Sequence, residues 1–224
     1  TIIFGFNLFP QVGLPLIWLK KFRKCRTIAI LADLPIDDSK KRSKFSSVFR
    51  GLFDLITLKC IEYCDKIIVL NKNAATKYAP EKNFLVVEGG IDLEETVNLI
   101  HHHVPVNYNL VYSGALTEYS GVKQLIAAME YVDKENVFLE IYGSGELEEY
   151  VSECSKKMRN VFCKGKVDND AIKKIQANAF LLVNPRPPSD PISNVTFPSK
   201  IFEYMMSGTP VLTTRLSGFT SDYL

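Results

Sequence analysis

Short apolar runs alternate with longer amphipathic segments along the whole chain. In the first hundred residues the apolar runs are TIIFGF, TIAILA, KIIVL and FLVV, and the amphipathic segments lie around residues 14–24, 46–63 and 74–78. Strands of a parallel sheet are apolar on both faces, whereas the helices that cover the sheet are apolar on one face only. The pattern predicts a parallel sheet covered by helices.

The second half shows the same alternation more clearly. Its apolar runs are NLVYS, VFLEIYG, VFCKG, AFLLVNP and PVLTT, and its amphipathic segments are GVKQLIAAMEYV, ELEEYVSECSKKM, DNDAIKKIQAN and the segment that begins at Lys200. Five strands with four intervening helices predict a doubly wound α/β domain.

The two halves predict two domains. We expect a partial first domain with its linker at 1–104, and a second domain at 105–224, facing each other across a cleft. The chain starts without a methionine, inside an apparent strand, and ends just past another. We therefore expect an internal portion of a longer protein.

Composition and charge exclude several classes. The formal net charge of +2 is too small to indicate a nucleic-acid partner. No apolar run reaches the roughly 18–20 residues that span a bilayer. Five cysteines without a C-x-x-C spacing indicate free thiols in a reducing cytoplasm rather than disulfides or zinc. His101, His102 and His103 cannot all face one ion, so a solvated linker is favoured over a metal site.

The segment TFPSKIFEYMMSGTPVL, residues 196–212, is the strongest candidate site. Ser199, Lys200 and Glu203 share one face of the predicted helix, and the free N–H groups at its start favour an anion. A capped helix with a surface Lys–Glu pair is the alternative. The opposite face is predicted to be core and contains Ile201, Phe202, Met205 and Met206.

Further candidates follow the other strands, where ligands bind in doubly wound sheets. Arg186 lies in a long loop and could supply a second cation for the same anion, or be a surface residue. Glycines at strand ends permit either a plain turn or close approach of a ligand. The glycines are Gly114, Gly143 and Gly145, and Lys166 is a further candidate in a loop that follows a strand. Asp33 ends a strand of the first half, where it could face the cleft or cap a turn.

Two basic runs, LKKFRKCR at 19–26 and SKKRSK at 39–44, are typical of a solvated face. The alternative is a footprint on an anionic membrane.

The motifs VYSGAL, EIYGSGELEEYV, NPRP and TFPSKIFEYMMSGTPVL, in this order and spacing, resemble the donor-binding domain of GT-B glycosyltransferases. The resemblance is closest to the retaining family 4, particularly bacterial members that assemble exopolysaccharide or capsule. It is specific over residues 108–224 and only topological over 1–107. It implies two Rossmann-like doubly wound domains, the N-terminal one incomplete.

The resemblance also implies roles for individual residues. Glu203 would hold the donor ribose, Ser199 and Lys200 would meet the diphosphate, and main chain at Lys166 and Val167 would bind the base. Further donor or acceptor contacts are implied for Gly114, Gly143, Gly145 and Thr196. Lys200 and Arg186 are the catalytic candidates, and Asp33 is the acceptor-side candidate.

The chain departs from the family pattern at three positions. Val195 stands where many relatives have a glutamate, and Ala115 and Ser120 stand where many have an arginine and a lysine that contact the diphosphate. These departures leave open how the donor sugar is held.

The implied function is transfer of a sugar from a nucleotide-diphosphate sugar to a hydroxyl of a sugar or lipid-linked sugar, with retention and without a metal or other cofactor. We expect a cytoplasmic location, with peripheral contact at the inner face of an anionic membrane. The alternatives are a nucleotide-sugar 2-epimerase, a non-catalytic glycosyltransferase-like subunit, and an unrelated nucleotide-binding α/β protein.

Overall fold

The computed structural model describes residues 1–32, 44–79, 83–90, 108–196 and 199–217. The chain forms two compact units: Thr1–Glu88 with Asn194–Phe197 and Ser217–Leu224, and Gly89–Ser193 with Pro198–Leu216. The predicted boundary at 104/105, the histidine triplet and Asp33 lie outside the described residues.

The first unit contains a sheet of four parallel strands in the order β1-β2-β3-β4. The strands are β1 (Ile2–Phe6), β2 (Arg26–Leu31), β3 (Lys66–Val69) and β4 (Phe84–Val86), and the helices are α1 (Pro10–Arg23), α2 (Lys44–Tyr63) and α3 (Lys72–Tyr78). The predicted parallel sheet is confirmed. Helix α1 begins four residues earlier than predicted, with Pro10 in its first turn, where a missing N–H costs nothing.

The described helices of this unit pack on one face of the sheet. Buried Leu31 and Ile67 from the strands meet Leu16 of α1 and Ile61 of α2 in a common core. On the other face the apolar side chains of β1 are more than half exposed, namely Ile2, Phe4 and Phe6. One covered and one open face agree with the expected incomplete Rossmann-like fold.

Two local features hold α1 against this core. Gly13 lies against α2, where an added Cβ would come within 2.6 Å of Cys60 Sγ. Lys20 Nζ donates a 2.8 Å bond to Asp65, which also accepts from the amide of Thr27 at 2.7 Å. These bonds lower the pKa of Asp65 to about 2. All five cysteines are free, as predicted.

The second unit contains five parallel strands in the order β7-β6-β5-β8-β9. The strands are β5 (Tyr108–Ser113), β6 (Val137–Tyr142), β7 (Val161–Gly165), β8 (Leu181–Asn184) and β9 (Val211–Thr213). The helices are α4 (Val122–Met129), α5 (Glu148–Lys157), α6 (Asn169–Ala177) and α8 (Lys200–Met206), and α7 (Pro191–Val195) begins in this unit and ends in the first one. The strand order reverses between β5 and β8, and this topological switch point is where doubly wound sheets bind ligands.

Helix α8 is rotated relative to the prediction. Ile201 is buried as predicted, but Met205 is 51% exposed and Tyr204 is completely buried. The cause is the Tyr204 hydroxyl, which accepts a 2.9 Å bond from the amide of Ser113 at the end of β5. Gly208 has the predicted left-handed conformation, with φ of 72°.

Among the helices that the structure describes, none combines the length and apolarity needed to cross a membrane.

Candidate functional site

A cavity of about 510 Å³ opens at the carboxyl ends of the strands of the second unit. Most of the predicted site residues line it: Gly114, Gly143, Lys166, Val167, Arg186, Ser199, Lys200 and Glu203. Gly145 and Thr196 are not in the lining, and Thr196 belongs to the first unit. The motif residues that were separate in the sequence therefore largely converge.

Gly143 and Gly145 pack two loops of the cavity together. Gly143 has φ of 137°, and an added Cβ there would collide with the carbonyl oxygen of Gly114. An added Cβ at Gly145 would lie 2.6 Å from the carbonyl oxygen of Leu116. Both glycines are required by backbone packing, which the sequence alone could not distinguish from a plain turn or a ligand approach.

Lys200 extends from α8 to the end of β5. Its Nζ donates a 2.9 Å bond to the hydroxyl of Tyr112 and lies 4.3 Å from the centroid of the Tyr112 ring. The side chain also lies against Gly114, where an added Cβ would collide with Nζ. The ammonium is therefore held in a slot that β5 and the residue after it form.

The environment of Lys200 disfavours its positive charge. Its pKa is lowered from 10.5 to about 8, chiefly because burial removes water from the ammonium and also because Arg186 is a second cation nearby. The carboxylate of Glu203 acts in the opposite direction. Around neutral pH most of Lys200 remains protonated, so Lys200 and Arg186 both contribute positive charge to the cavity.

Arg186 enters the same cavity from the loop after β8. Its Cζ lies 5.6 Å from the ring centroid of Tyr119, and burial lowers the pKa of the guanidinium. Its carbonyl oxygen accepts a short bond from the hydroxyl of Thr214. A position over an aromatic face is a favourable environment for a guanidinium, and its planar fork suits phosphate oxygens.

A buried polar network fixes α8 beneath this site. Tyr204 and Ser113 exchange main-chain and hydroxyl bonds, and Gln176 Nε2 of α6 donates to Ser113 Oγ at 3.0 Å. Thr209 Oγ1 donates to the carbonyl of Gln176 at 2.7 Å. Because every partner is buried, the network positions the start of α8 relative to β5.

Glu203 is exposed and lines both the main cavity and a neighbouring one of about 220 Å³. Lys166 and Val167 line the main cavity just past β7. Asp168 accepts a 2.7 Å bond from the amide of Ala171 and so caps α6 beside them. Ser199 makes no capping bond with its side chain, so its hydroxyl remains at the cavity wall.

Several lining residues were missed from the sequence, among them Tyr112, Thr117 and Tyr119. Tyr112 resembled an ordinary core residue of a strand, and only its place two residues before Gly114 could have marked it. The buried Oγ1 of Thr117 has no hydrogen-bond partner in the described part of the chain, and it can serve a polar ligand.

The described residues contain no cluster of three or more His, Cys, Asp or Glu side chains that could hold a metal ion. A function independent of metal stays a prediction.

Three solved structures show the same fold over nearly the whole chain. Anabaena HepE in complex with UDP superposes with a TM-score of 0.67 at 14% identity, covering 96% of this chain and 60% of that chain. Sucrose-phosphate synthase from Thermosynechococcus elongatus gives 0.66 at 17% identity, covering 97% and 56%. The pneumococcal O-GlcNAc transferase GtfA in complex with UDP and GlcNAc gives 0.61 at 12%, covering 96% and 42%.

These likenesses confirm the predicted GT-B class, with Rossmann-like parallel sheets and an incomplete first domain. The chain spans about 60% of the length of the HepE chain. No curated protein matches the chain in sequence.

A match to a known sequence family covers the unit that contains the cavity. Residues 107–223, more than half of the chain, match the family described as glycosyl transferases group 1. The chain belongs to this family of glycosyl transferases.

Proposed function

We propose that the protein transfers a sugar from a nucleotide-diphosphate sugar to a hydroxyl acceptor with retention, as a family 4 enzyme of the hexosyltransferase type. The observation that carries the proposal is the convergence of Lys200 and Arg186 on one cavity at the switch point of the sheet. Both cations come from elements that the family match includes.

The chemistry requires positive charge at this place. When the glycosidic bond to the diphosphate breaks, negative charge develops on the leaving nucleoside diphosphate, and fixed cations stabilise it without reorganisation. Burial and, in addition, the repulsion between Lys200 and Arg186 lower the pKa of Lys200. A diphosphate between them would remove that repulsion, so two cations held in proximity favour an anionic ligand. We propose that they make a metal ion unnecessary.

The remaining contacts follow the cavity lining. In this proposal Glu203 would accept bonds from ribose hydroxyls, and main chain at Lys166 and Val167 would meet the base. Arg186, over the ring of Tyr119, would supply the cationic charge that many relatives place at the positions of Ala115 and Ser120.

A non-catalytic nucleotide-binding subunit is the second candidate, and the environment of Val195 favours it. This side chain is 7% exposed and packs in the hydrophobic core of the first unit. It cannot make the polar contact that a glutamate makes at this position in many relatives, so the donor sugar would have to be held by other groups.

Incubation with UDP-, GDP- and dTDP-sugars tests these alternatives. We expect one donor to raise the melting temperature and to yield a glycosylated product with retained anomeric configuration. Binding without turnover would support the subunit, and release of free sugar without an acceptor would support an epimerase. Lys200→Met should abolish the response, whereas Lys156→Met, an exposed lysine on α5, should not.

We propose an acceptor that is a sugar or a lipid-linked sugar in surface polysaccharide or glycoconjugate assembly, reached at the cytoplasmic face of the membrane. Helix α1 supports this proposal. Leu14, Trp18 and Phe22 are spaced four residues apart and more than half exposed, and Lys21 and Arg23 are exposed beside them. Apolar side chains flanked by cations are typical of helices that lie on anionic bilayers.

Flotation with vesicles of phosphatidylcholine and phosphatidylglycerol at low salt tests this contact. We expect the wild-type chain to float and Trp18→Ser/Phe22→Ser to stay in solution. Tyr131→Ser is the control because Tyr131, 87% exposed, belongs to the second unit. Absence of flotation of the wild-type chain would exclude the contact.

A further inference from the structure

Tyr112 is completely buried near the end of β5, yet its hydroxyl both donates and accepts a hydrogen bond. It donates its proton to the carbonyl oxygen of Ala115 at 2.8 Å and accepts the bond from Lys200 Nζ at 2.9 Å. Because the single hydroxyl proton is directed to Ala115, a lone pair is turned toward the lysine. The arrangement suits an ammonium donor.

Three features of β5 and its loop restrain the lysine. The ring of Tyr112 lies 4.3 Å from Nζ, the hydroxyl bonds to it, and Gly114 leaves the space that a Cβ would occupy. The lysine stem comes from a different element, α8, which the buried Tyr204 network attaches to the same strand. The ammonium therefore has a defined position before any ligand arrives.

We propose that Tyr112 is a positioning residue that holds the Lys200 ammonium in the orientation required by the diphosphate. This inference rests on the proposed function of the cavity. A preorganised cation loses little freedom on binding and needs no rearrangement as charge develops on the leaving group. Tyr112 itself acts only through Lys200.

The charged and titratable groups around the pair determine what removal of the hydroxyl would do. Arg186 disfavours the ammonium, Glu203 favours it, and Tyr119 and Tyr204 lie close enough to affect Tyr112. Tyr112→Phe keeps the ring but removes the acceptor of the Lys200 bond. The buried ammonium would then face Arg186 with less compensation, so its pKa should fall further.

The first test does not depend on any ligand. Lysine labelling with acetic anhydride, followed by mass spectrometry from pH 6 to 10, reports the titration midpoint of Lys200. We expect Tyr112→Phe to lower this midpoint by about one pH unit, the order of effect of one hydrogen bond to a charged group. An unchanged midpoint in the folded variant would overturn the proposal.

The control is Tyr150→Phe. Tyr150 also has a lysine near its ring, with Lys123 Nζ 5.4 Å from the centroid, but the pair lies outside the cavity lining. Its substitution should leave the midpoint of Lys200 unchanged. A shift of equal size in both variants would mean that the effect is general and would also overturn the proposal.

The second test measures affinity for UDP, GDP and dTDP by calorimetry. For the nucleotide that binds, Tyr112→Phe should weaken affinity about tenfold at pH 7 and by more at pH 8, whereas Tyr150→Phe should not. Lys200→Arg is a second variant that keeps the charge but does not fit the slot, and we expect a similar loss. Wild-type affinity in Lys200→Arg or in Tyr112→Phe would overturn the positioning role.

The two tests separate two kinds of failure. If the wild-type chain binds none of the three nucleotides while the labelling midpoint still shifts, the proposed function of the cavity is wrong, and the positioning role falls with it. If the wild-type chain binds a nucleotide but the midpoint does not shift, only the role of Tyr112 is wrong.

Discussion

Replacement of Lys200 by methionine should make the protein more stable in the absence of nucleotide and should abolish nucleotide binding. The pKa of Lys200 is lowered from 10.5 to about 8. At roughly 1.4 kcal/mol per pKa unit, keeping this lysine charged at pH 7 costs about 3 kcal/mol relative to the unfolded chain. Methionine retains an apolar stem of similar length and removes this cost.

The net gain is smaller than this figure. The variant loses the bond between Nζ and the Tyr112 hydroxyl, which contributes about 1 kcal/mol, and partial exposure of the lysine reduces the electrostatic cost. We expect Lys200→Met to raise the free energy of unfolding by about 1–2 kcal/mol at pH 7. The melting temperature of the second unit should rise by a few degrees.

The pH dependence separates this effect from a simple gain in packing. A lysine with a lowered folded-state pKa binds fewer protons in the folded chain than in the unfolded chain between about pH 8 and 10.5. The free energy of unfolding of the wild-type chain should therefore increase as pH rises through this range, and this increase should be absent in the variant. The advantage of Lys200→Met should be largest at pH 7 and nearly absent above pH 10.

Scanning calorimetry of both proteins at pH 7 and 9.5 measures this difference, and Lys156→Met corrects for the loss of one surface charge. Other titrating groups are common to the compared proteins and cancel. A variant that is less stable than wild type at pH 7, or an advantage that does not change with pH, would refute the argument that Lys200 is held charged at a cost.

Three further outcomes are expected. At pH 8 nucleotide binding should take up a fraction of a proton, because the diphosphate raises the pKa of Lys200; calorimetry in two buffers of different ionisation enthalpy measures it. In urea titrations, Gly143→Ala should lower the free energy of unfolding by more than about 3 kcal/mol, because of the positive φ and the collision with Gly114. Gly208→Ala should lower it by only about 1 kcal/mol, because the space around its Cβ is open. Asp65 has a folded-state pKa of about 2, so its ionised form stabilises the folded chain above about pH 4, and this stabilisation is lost toward pH 2. After allowance for solvent screening, Asp65→Asn should remove about 1 kcal/mol of this pH-dependent free energy of unfolding.

Much of the fold was predictable because the strands and helices follow the spacing of apolar residues along the sequence. The apolar runs marked the strands of both sheets, and the position of Gly208 marked the end of α8. The rotation of α8 was not predictable, because it depends on the hydrogen bonds of Tyr204 to a strand 91 residues away. A helix with apolar residues on several sides does not show which side is buried.

The candidate site was predictable where charge or a motif marked it. Lys200 and Glu203 stood out on one face of the predicted helix and Arg186 in the long loop before it, and they converge on one cavity. Tyr112 and Tyr119 were missed because aromatic residues in or after a strand look like core, and their contacts with Lys200 and Arg186 exist only in three dimensions. Gly145 was chosen for its loop, and its backbone packing against Leu116 appears only in the structure.

The most direct test is titration of UDP, GDP and dTDP into the wild-type chain and two double variants. Lys200→Met/Arg186→Met removes the two cations proposed to hold the diphosphate, whereas Lys156→Met/Arg159→Met removes two exposed cations outside the cavity lining. Charge-assisted phosphate bonds of about 1.5–3 kcal/mol each predict that one nucleotide binds the wild-type and control chains and binds the cavity variant at least a hundredfold more weakly. Equal affinity in all three proteins, or no binding by the wild-type chain, would contradict the central claim.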